Sequence, residues 1–460
     1  MKKIRRVACV LAVLLCSSTL LACGSSKTDK STNDTPPASS SDNSGGSVDE
    51  GPSEEEKEQA MKEDKLVTPF WKSDVMYDET VVLVAETDET GKIVGLPTAK
   101  LLFNAEEILE VKQYFHEANG NQIKTFTQGA DFTYADGAIT AVGTIGEDLF
   151  GQSIVDTTLP YVTDKQAKGI DAFPGLGATT GIPSSEGNWD IPFTESYQIV
   201  QMQLSVTYRH SGEWAGVTPA YQGKTLSHVT KKLQNKEDTE ILIFGDSVAT
   251  GANSSSLLGV EPYLAPWFTL TANKLSRYYG AKVNIANKSV GGWTSSNGVS
   301  SVTSGGWING TYVEQVGLLK LFETELAEYK PDLAIIHFGL NDVTLGVTAQ
   351  VYYQNLCKMI DCVKKRNPEC DIIVLGSLIA NPEAKNQSKD LAPYVKVNNA
   401  LATQVYKDGN VVAWDIGAMH QDLLTAGKKY LDMTGNNVNH PNDFIARIYA
   451  MNVLSLLIEE

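Results

Sequence analysis

From residue 240 onward, short apolar runs alternate with longer stretches of mixed polarity. The runs are EILIFG, KVNIAN, DLAIIHF, DIIVLG and NVVAWD. Between them lie helix-like stretches such as YLAPWFTLTANKLSRYYG, YVEQVGLLKLFETELAEY and VYYQNLCKMIDCVKKR, and a last helix is expected from about Asn442 to Leu457. Five strand-then-helix units predict an α/β region over 236–460, built on a doubly wound sheet of five parallel strands. A ligand site in such a sheet lies at the C-terminal ends of the strands.

The texture is different before residue 235. ETVVLVAET, KLLFNAEEI, DFTYADGAITAV and YQIVQMQLSVTYRH are short runs separated by turn signals such as ETGK, ADGA and EANGN. Strands with that punctuation predict an all-β sandwich over 66–235. No internal repeat is visible.

The first residues change the picture of where the protein works. Lys2, Lys3, Arg5 and Arg6 precede an apolar core, Val7 to Leu15, that is too short to span a bilayer as a stable helix. The stretch ends Leu20-Leu21-Ala22-Cys23-Gly24, which resembles a bacterial lipobox. That resemblance implies removal of residues 1–22 and lipidation of Cys23. Residues 24–65 are rich in Ser, Thr, Asp, Asn, Gly and Pro and then acidic, so a disordered tether is expected, with a reach of about 35 Å. The expected location is the extracellular face of the bacterial membrane, with the lipid anchor as the only membrane contact.

The formal charge is −17, and −21 without the four basic residues of the leader. That balance excludes a basic nucleic-acid footprint. Of six cysteines, three belong to the leader and anchor. Cys357, Cys362 and Cys370 remain, read as buried free thiols with one disulfide as the alternative.

Candidate chemistry sits where the predicted strands end. Gly245-Asp246-Ser247 follows the first strand. Asn287-Lys288-Ser289-Val290-Gly291-Gly292 follows the second, Gly339-Leu340-Asn341-Asp342 the third, and His440-Pro441 precedes the last helix. A serine on a tight turn after a strand is exposed for attack. An ester reacts through a tetrahedral oxyanion, and the Ser247 N–H, the Gly292 N–H and the Asn341 side-chain amide are three candidate donors for it. His440 is the candidate base. Gly291 and Gly292 are adjacent and exchangeable in this role. His337, inside a strand, reads as packed. No spacing of histidines or cysteines suggests a metal, and no cofactor is implied.

These four blocks resemble the SGNH/GDSL hydrolases, whose blocks are named for Ser, Gly, Asn and His. The resemblance covers about residues 238–460 and implies a flavodoxin-like sheet and serine esterase chemistry. A sandwich preceding such a domain is similar to the arrangement in family-two carbohydrate esterases, which deacetylate plant polysaccharides. The expected function is removal of acyl groups, O-acetyl foremost, from a carbohydrate. A non-catalytic glycan-binding lipoprotein, or a lysophospholipase or thioesterase of the same fold, is the alternative. Trp293 and Trp307, which flank the proposed site, and Trp214 and Tyr221 in the junction HSGEWAGVTPAYQGKTL, are candidate sugar contacts or else packing residues.

One block departs from the family. The histidine usually has an aspartate three residues upstream, and here that position is Asn437. A backbone carbonyl accepting from the imidazole, as the family-two resemblance implies, is the leading expectation. Asp432 is the alternative acid, reaching in if the TGNN loop folds back.

Overall fold

The computed structural model describes residues 53–459 apart from 118–119, 177–180, 188, 386 and 388–389. The leader, Cys23 and most of the expected tether lie outside the described residues.

The N-terminal region builds two main sheets. One is antiparallel and four-stranded, in the order Val75–Val81, Leu204–His210, Ala105–Glu117, Gly120–Phe126. The other has five short strands, in the order Val162–Thr163, Val84–Ala85, Thr98–Lys100, Ala138–Ala141, Phe132–Ala135. Alternation puts Val111, Leu204 and Val206 of the first sheet and Ala99, Ile139 and Ala141 of the second into one buried core.

The C-terminal region is a five-stranded parallel sheet. Its strands are, in chain order, Thr239–Gly245, Val283–Asn287, Leu333–His337, Asp371–Leu375 and Val411–Trp414, and the sheet order is second, first, third, fourth, fifth. Leu333–His337 and Asp371–Leu375 are buried at every position, as strands covered on both faces must be. Helices Trp267–Tyr279, Ala349–Arg366 and Asp443–Leu457 match the expected ones. The stretch 312–329 does not. Thr311–Gln315 pairs with Ser304–Ile308 as a hairpin, only Leu318–Leu321 is helical, and turns follow. Cross-strand pairing overrides the local helical pattern there.

The tether expectation also ran too far. Glu54–Leu66 is a helix. None of its residues is buried, but Glu63 and Asp64 pair with Arg277 of the helix Trp267–Tyr279 at 3.2 and 2.7 Å. Docked acidic side chains hold a segment whose composition alone reads as unfolded. Cys357, Cys362 and Cys370 are free thiols.

Sandwich and parallel sheet belong to one compact unit from Glu54 onward, and one buried cluster contains Val206 and Ile139 as well as Ile241, Trp267 and Leu456. Polar ties converge on the loop 428–442, which leads to His440. Lys428 and Glu79 form an ion pair at 2.6 Å with side chains 2% and 0% exposed. The Gln203 amide donates to the carbonyls of Leu431 and Thr434, and the Asn442 amide donates to Gln203 Oε1 at 2.9 Å. Breaking a buried pair leaves an uncompensated charge and costs about 3–5 kcal/mol. Lys428→Ala should therefore lower the thermal midpoint by many degrees. An unchanged midpoint would mean that the pair contributes nothing to holding the loop.

Candidate active site

Ser247 sits in the turn after the strand Thr239–Gly245, at the C-terminal edge of the sheet. The Asp246 carboxylate accepts from Val248 N–H at 3.0 Å and Thr250 donates its hydroxyl to Ser247 O, so the turn is closed from both sides. His337 and Asp246 are both fully buried, with His337 Nδ1 3.3 Å from Asp246 Oδ1. Neither reaches the cavity; they form the floor beneath the serine.

His440 comes from the other end of the chain. Its Nε2 lies 2.9 Å from Ser247 Oγ. The geometry suits transfer of the hydroxyl proton to the imidazole. The support of that imidazole differs from both expectations. Nδ1 faces Glu195 Oε2 at 2.8 Å and Asn253 Oδ1 at 2.8 Å. A carboxylate from the N-terminal region takes the place expected of a backbone carbonyl. Asp432 is not the acid: its two oxygens accept from Val82 N–H and Lys429 N–H, at 2.8 and 2.9 Å, so it locks the loop to the sandwich.

Asparagines arrange this. Asn436 Oδ1 accepts from the N–H groups of Val438, Asn439 and His440 at 3.0, 2.9 and 3.0 Å. Its amide donates to Glu195 Oε1 at 3.1 Å and to Asn439 Oδ1 at 3.0 Å. Asn437, at the position of the usual acid, has φ of 62° and turns its amide to Pro192 O at 3.1 Å. A carboxylate placed there would face a carbonyl, not the imidazole. Asn253 also adopts a left-handed φ, 65°, which asparagine tolerates better than most residues. It packs against Gly435, where a Cβ would come within 2.7 Å of the Asn253 Cβ.

The donors for an oxyanion are ordered as well. Among the described residues nothing accepts from the N–H of Ser247 or Gly292. Gly291 uses its N–H on Trp307 O at 2.7 Å, so Gly292, with φ of 83°, is the glycine whose amide is left over. The Asn341 amide donates to Trp293 O at 2.9 Å, which uses one of its two hydrogens. Asp342 beside it accepts from Ser295 N–H at 3.0 Å and ties the second block to the third; burial pushes its carboxyl up to about 6, against the Ser295 hydrogen bonds.

Ser247, Gly292, Asn341, His440, Glu195 and Asn253 share the lining of one cavity of about 660 Å³, together with Trp307, Phe193 and Gln387. Of the expected aromatic contacts, Trp293, Trp214 and Tyr221 do not. Trp293 is 1% exposed, packs edge-on against Phe244 and donates to Gly305 O. Trp214 packs against Phe70 and donates to Val217 O. Next to Tyr221, Gln222 N–H donates to Leu456 O, near the far end of the last helix and about 20 Å along its axis from the catalytic rim. The indole that does face the cavity is Trp307, 51% exposed, on the hairpin stitched to Gly291.

Residues 243–448 match the model of the GDSL-like Lipase/Acylhydrolase family. This segment is a GDSL-like acylhydrolase domain. Among solved structures, the chain is similar to a two-domain esterase (CEX) active on acetylated mannans, at 16% identity over 52% of this chain and 54% of that one, TM-score 0.36. It is also similar to Axe2, an acetylxylan esterase from Geobacillus stearothermophilus, at 17% identity over 49% of this chain and 97% of that one, TM-score 0.36. A lipase/acylhydrolase from Enterococcus faecalis is similar at 20% identity over 47% and 93%, TM-score 0.32. The chain thus spans about half the length of the two-domain esterase. No curated protein matches the sequence.

The electrostatics of the GDSL domain's histidine set a pH dependence. Desolvation works to lower the His440 pKa, but the Glu195 charge and hydrogen bond outweigh it, so the pKa lies above the ordinary histidine value. For Glu195, partial burial works to raise the pKa, and the His440 charge with the hydrogen bonds from His440 and Asn436 pulls it down further, so it stays ionised. A base must be neutral to accept the serine proton, so the acid limb of kcat/KM follows His440. Glu195→Gln should move that limb to lower pH. Asn253→Ala, which removes no charge, should leave it in place. Because either acceptor alone fixes the Nδ1–H tautomer, each single variant should lose less than about 10²-fold, and the double variant should approach the roughly 10⁴-fold loss known for a triad without its acid. An unmoved acid limb in Glu195→Gln would contradict this account.

Proposed function

We propose that this protein is an extracellular serine esterase, anchored through lipid on Cys23, that removes short acyl groups, acetyl foremost, from a carbohydrate. The observation that carries this reading is the relay from Ser247 Oγ to His440 Nε2 and from His440 Nδ1 to Glu195, set beside unpaired backbone donors in one cavity.

In this mechanism Ser247 Oγ attacks the ester carbonyl as His440 Nε2 takes its proton. The imidazolium that forms is stabilised by the Glu195 charge, and its Nδ1–H is also accepted by Asn253. Charge develops on the former carbonyl oxygen, facing the N–H groups of Ser247 and Gly292 and the Asn341 amide; one such donor contributes about 3–4 kcal/mol. His440 then protonates the leaving sugar oxygen. Water, deprotonated by the same imidazole, cleaves the acyl-enzyme and restores Ser247.

The carbohydrate part of the proposal rests on the cavity lining. Trp307 offers a ring at the mouth, with Tyr312 edge-on to it at 5.4 Å, and Asn309, Gln387 and Asn439 offer amides nearby. A ring for a sugar face and neutral amides for hydroxyls suit an uncharged glycan better than a phospholipid headgroup. The leader and lipobox support an extracellular setting.

The test is release of acetate from acetylated polysaccharides, with p-nitrophenyl acetate and octanoate as small comparators. Ser247→Ala should abolish turnover of all of them, and acetate should exceed octanoate. Trp307→Ala should raise KM for the polysaccharide several-fold while leaving p-nitrophenyl acetate turnover near its original rate. Equal rates in Ser247→Ala would sink the enzyme, a preference for octanoate would sink the deacetylase, and an unchanged polysaccharide KM in Trp307→Ala would sink the sugar platform.

A further inference from the structure

The segment that carries Glu195 has a second neighbour. Phe193 and Glu195 line the catalytic cavity, while Tyr197 and Gln201, slightly further along the chain, line another cavity of about 690 Å³. Its floor is the outer face of the four-stranded sheet. Lys112 and Tyr114 of the strand Ala105–Glu117 lie there, next to Ser205 and Thr207 of Leu204–His210, with Ser205 directly opposite Lys112. The intervening positions, Val111, Leu204 and Val206, face the core. This sheet therefore turns a polar and aromatic face inward, under a roof made by the helix Glu54–Leu66, the loop 260–265 and the start of the last helix.

Two properties separate this space from a packing defect. A void left by imperfect packing is apolar and stays dry. Here Ser205, 3% exposed, has its hydroxyl buried with no hydrogen-bond partner among the described residues, and it lines the cavity. A buried hydroxyl without a partner calls for something in the cavity to bind it. The volume also falls within the range of ordinary ligand pockets.

The charges decide what that something is. Lys112 pairs with Glu110 at 2.8 Å. Arg447 spends its guanidinium on the carbonyls of Leu66, Tyr77 and Asp78. The lining also carries Lys62 and Lys65 on the basic side and Glu63, Asp78, Glu261 and Asp443 on the acidic side, so the two signs nearly balance and no concentrated charge of either sign is left for an ion. The neutral groups of the lining are the rings of Tyr77, Tyr114 and Tyr197, the amide of Gln201 and the Ser205 hydroxyl. Burial pushes the Tyr114 phenol up to about 12, so it stays a neutral donor. Neutral donors and acceptors among aromatic rings match the hydroxyls and C–H faces of a sugar. We propose that this second cavity binds a neutral oligosaccharide, independently of ester cleavage.

The probes are unacetylated xylohexaose, mannohexaose and cellohexaose, which carry no ester to cleave, titrated calorimetrically into the full-length protein. At least one should bind. Tyr114→Ala and Gln201→Ala should each weaken it by about tenfold or more, the scale of losing one well-packed contact. Tyr114→Phe, which keeps the ring and removes only the hydroxyl, should weaken binding less than Tyr114→Ala. All three variants should keep p-nitrophenyl acetate turnover, which reports an intact fold and an intact catalytic site; if one of the alanine variants does not fold, the other carries the test. Trp307→Ala should leave the binding in place. Absence of binding by every probe, or binding lost in Trp307→Ala and kept in Tyr114→Ala and Gln201→Ala, would overturn the proposal. Failure of ester turnover in the unmodified protein would bear on the esterase reading alone.

Discussion

The bond between His440 Nδ1 and Glu195 joins two parts of the chain that fold from different patterns. One end belongs to the rim of a parallel sheet, the other to an irregular segment of the N-terminal region. Glu195 is half exposed, with its side chain at 50%. An ion pair in so much water contributes little to stability, so the attraction cannot be what brings the groups together. Their positions follow from the neighbours: Asn436 holds Glu195 and three amides of the His440 loop at once, Asn437 binds Pro192 O, and Lys428 is buried against Glu79. The sandwich is therefore part of the framework that positions His440. It fixes the loop, and the fixed loop aims the imidazole.

The parallel sheet was legible because each of its strands is a short apolar run with a helix-like stretch beyond it, and the rim residues were legible because they lie next to those strands. Ser247, Gly292, Asn341 and His440 each stand within a few residues of an element end. Glu195 had no such marker. It sits 245 residues before His440, in a stretch without periodicity, and only the folded contact between sandwich and loop gives it a role. Asn253 was nearer to hand, in the loop that follows Ser247, but a lone asparagine in a serine-rich loop reads as turn chemistry. Three of the four aromatic candidates failed for a related reason. Adjacency in sequence placed Trp293 beside Gly292, yet its ring turns into the core, while Trp307, the other flanking indole, reaches the site on a hairpin whose second strand the local pattern read as helix.

Asparagine at position 437 does not leave His440 without an acidic neighbour. The amide of Asn437 serves as a tie to the N-terminal region, and Glu195 faces the imidazole Nδ1. Two acceptors on one N–H play different parts. Glu195 supplies charge and raises the His440 pKa, whereas Asn253 supplies a neutral, buried acceptor from the nucleophile's own loop. A half-exposed carboxylate on an irregular segment is a less constrained partner than a buried one. The asparagine keeps the tautomer defined when that carboxylate is displaced.

Nitrogen-15 NMR of the full-length protein, labelled at histidine, tests this arrangement most directly. With the His440 signals assigned by their loss in His440→Gln, the neutral imidazole should carry its proton on Nδ1 and leave Nε2 free to accept from Ser247. Glu195→Gln should shift the Nδ1–H resonance and lower the His440 pKa, and Asp432→Ala should change neither in protein that remains folded. A neutral His440 protonated on Nε2, or a resonance that responds to Asp432→Ala and ignores Glu195→Gln, would contradict the account.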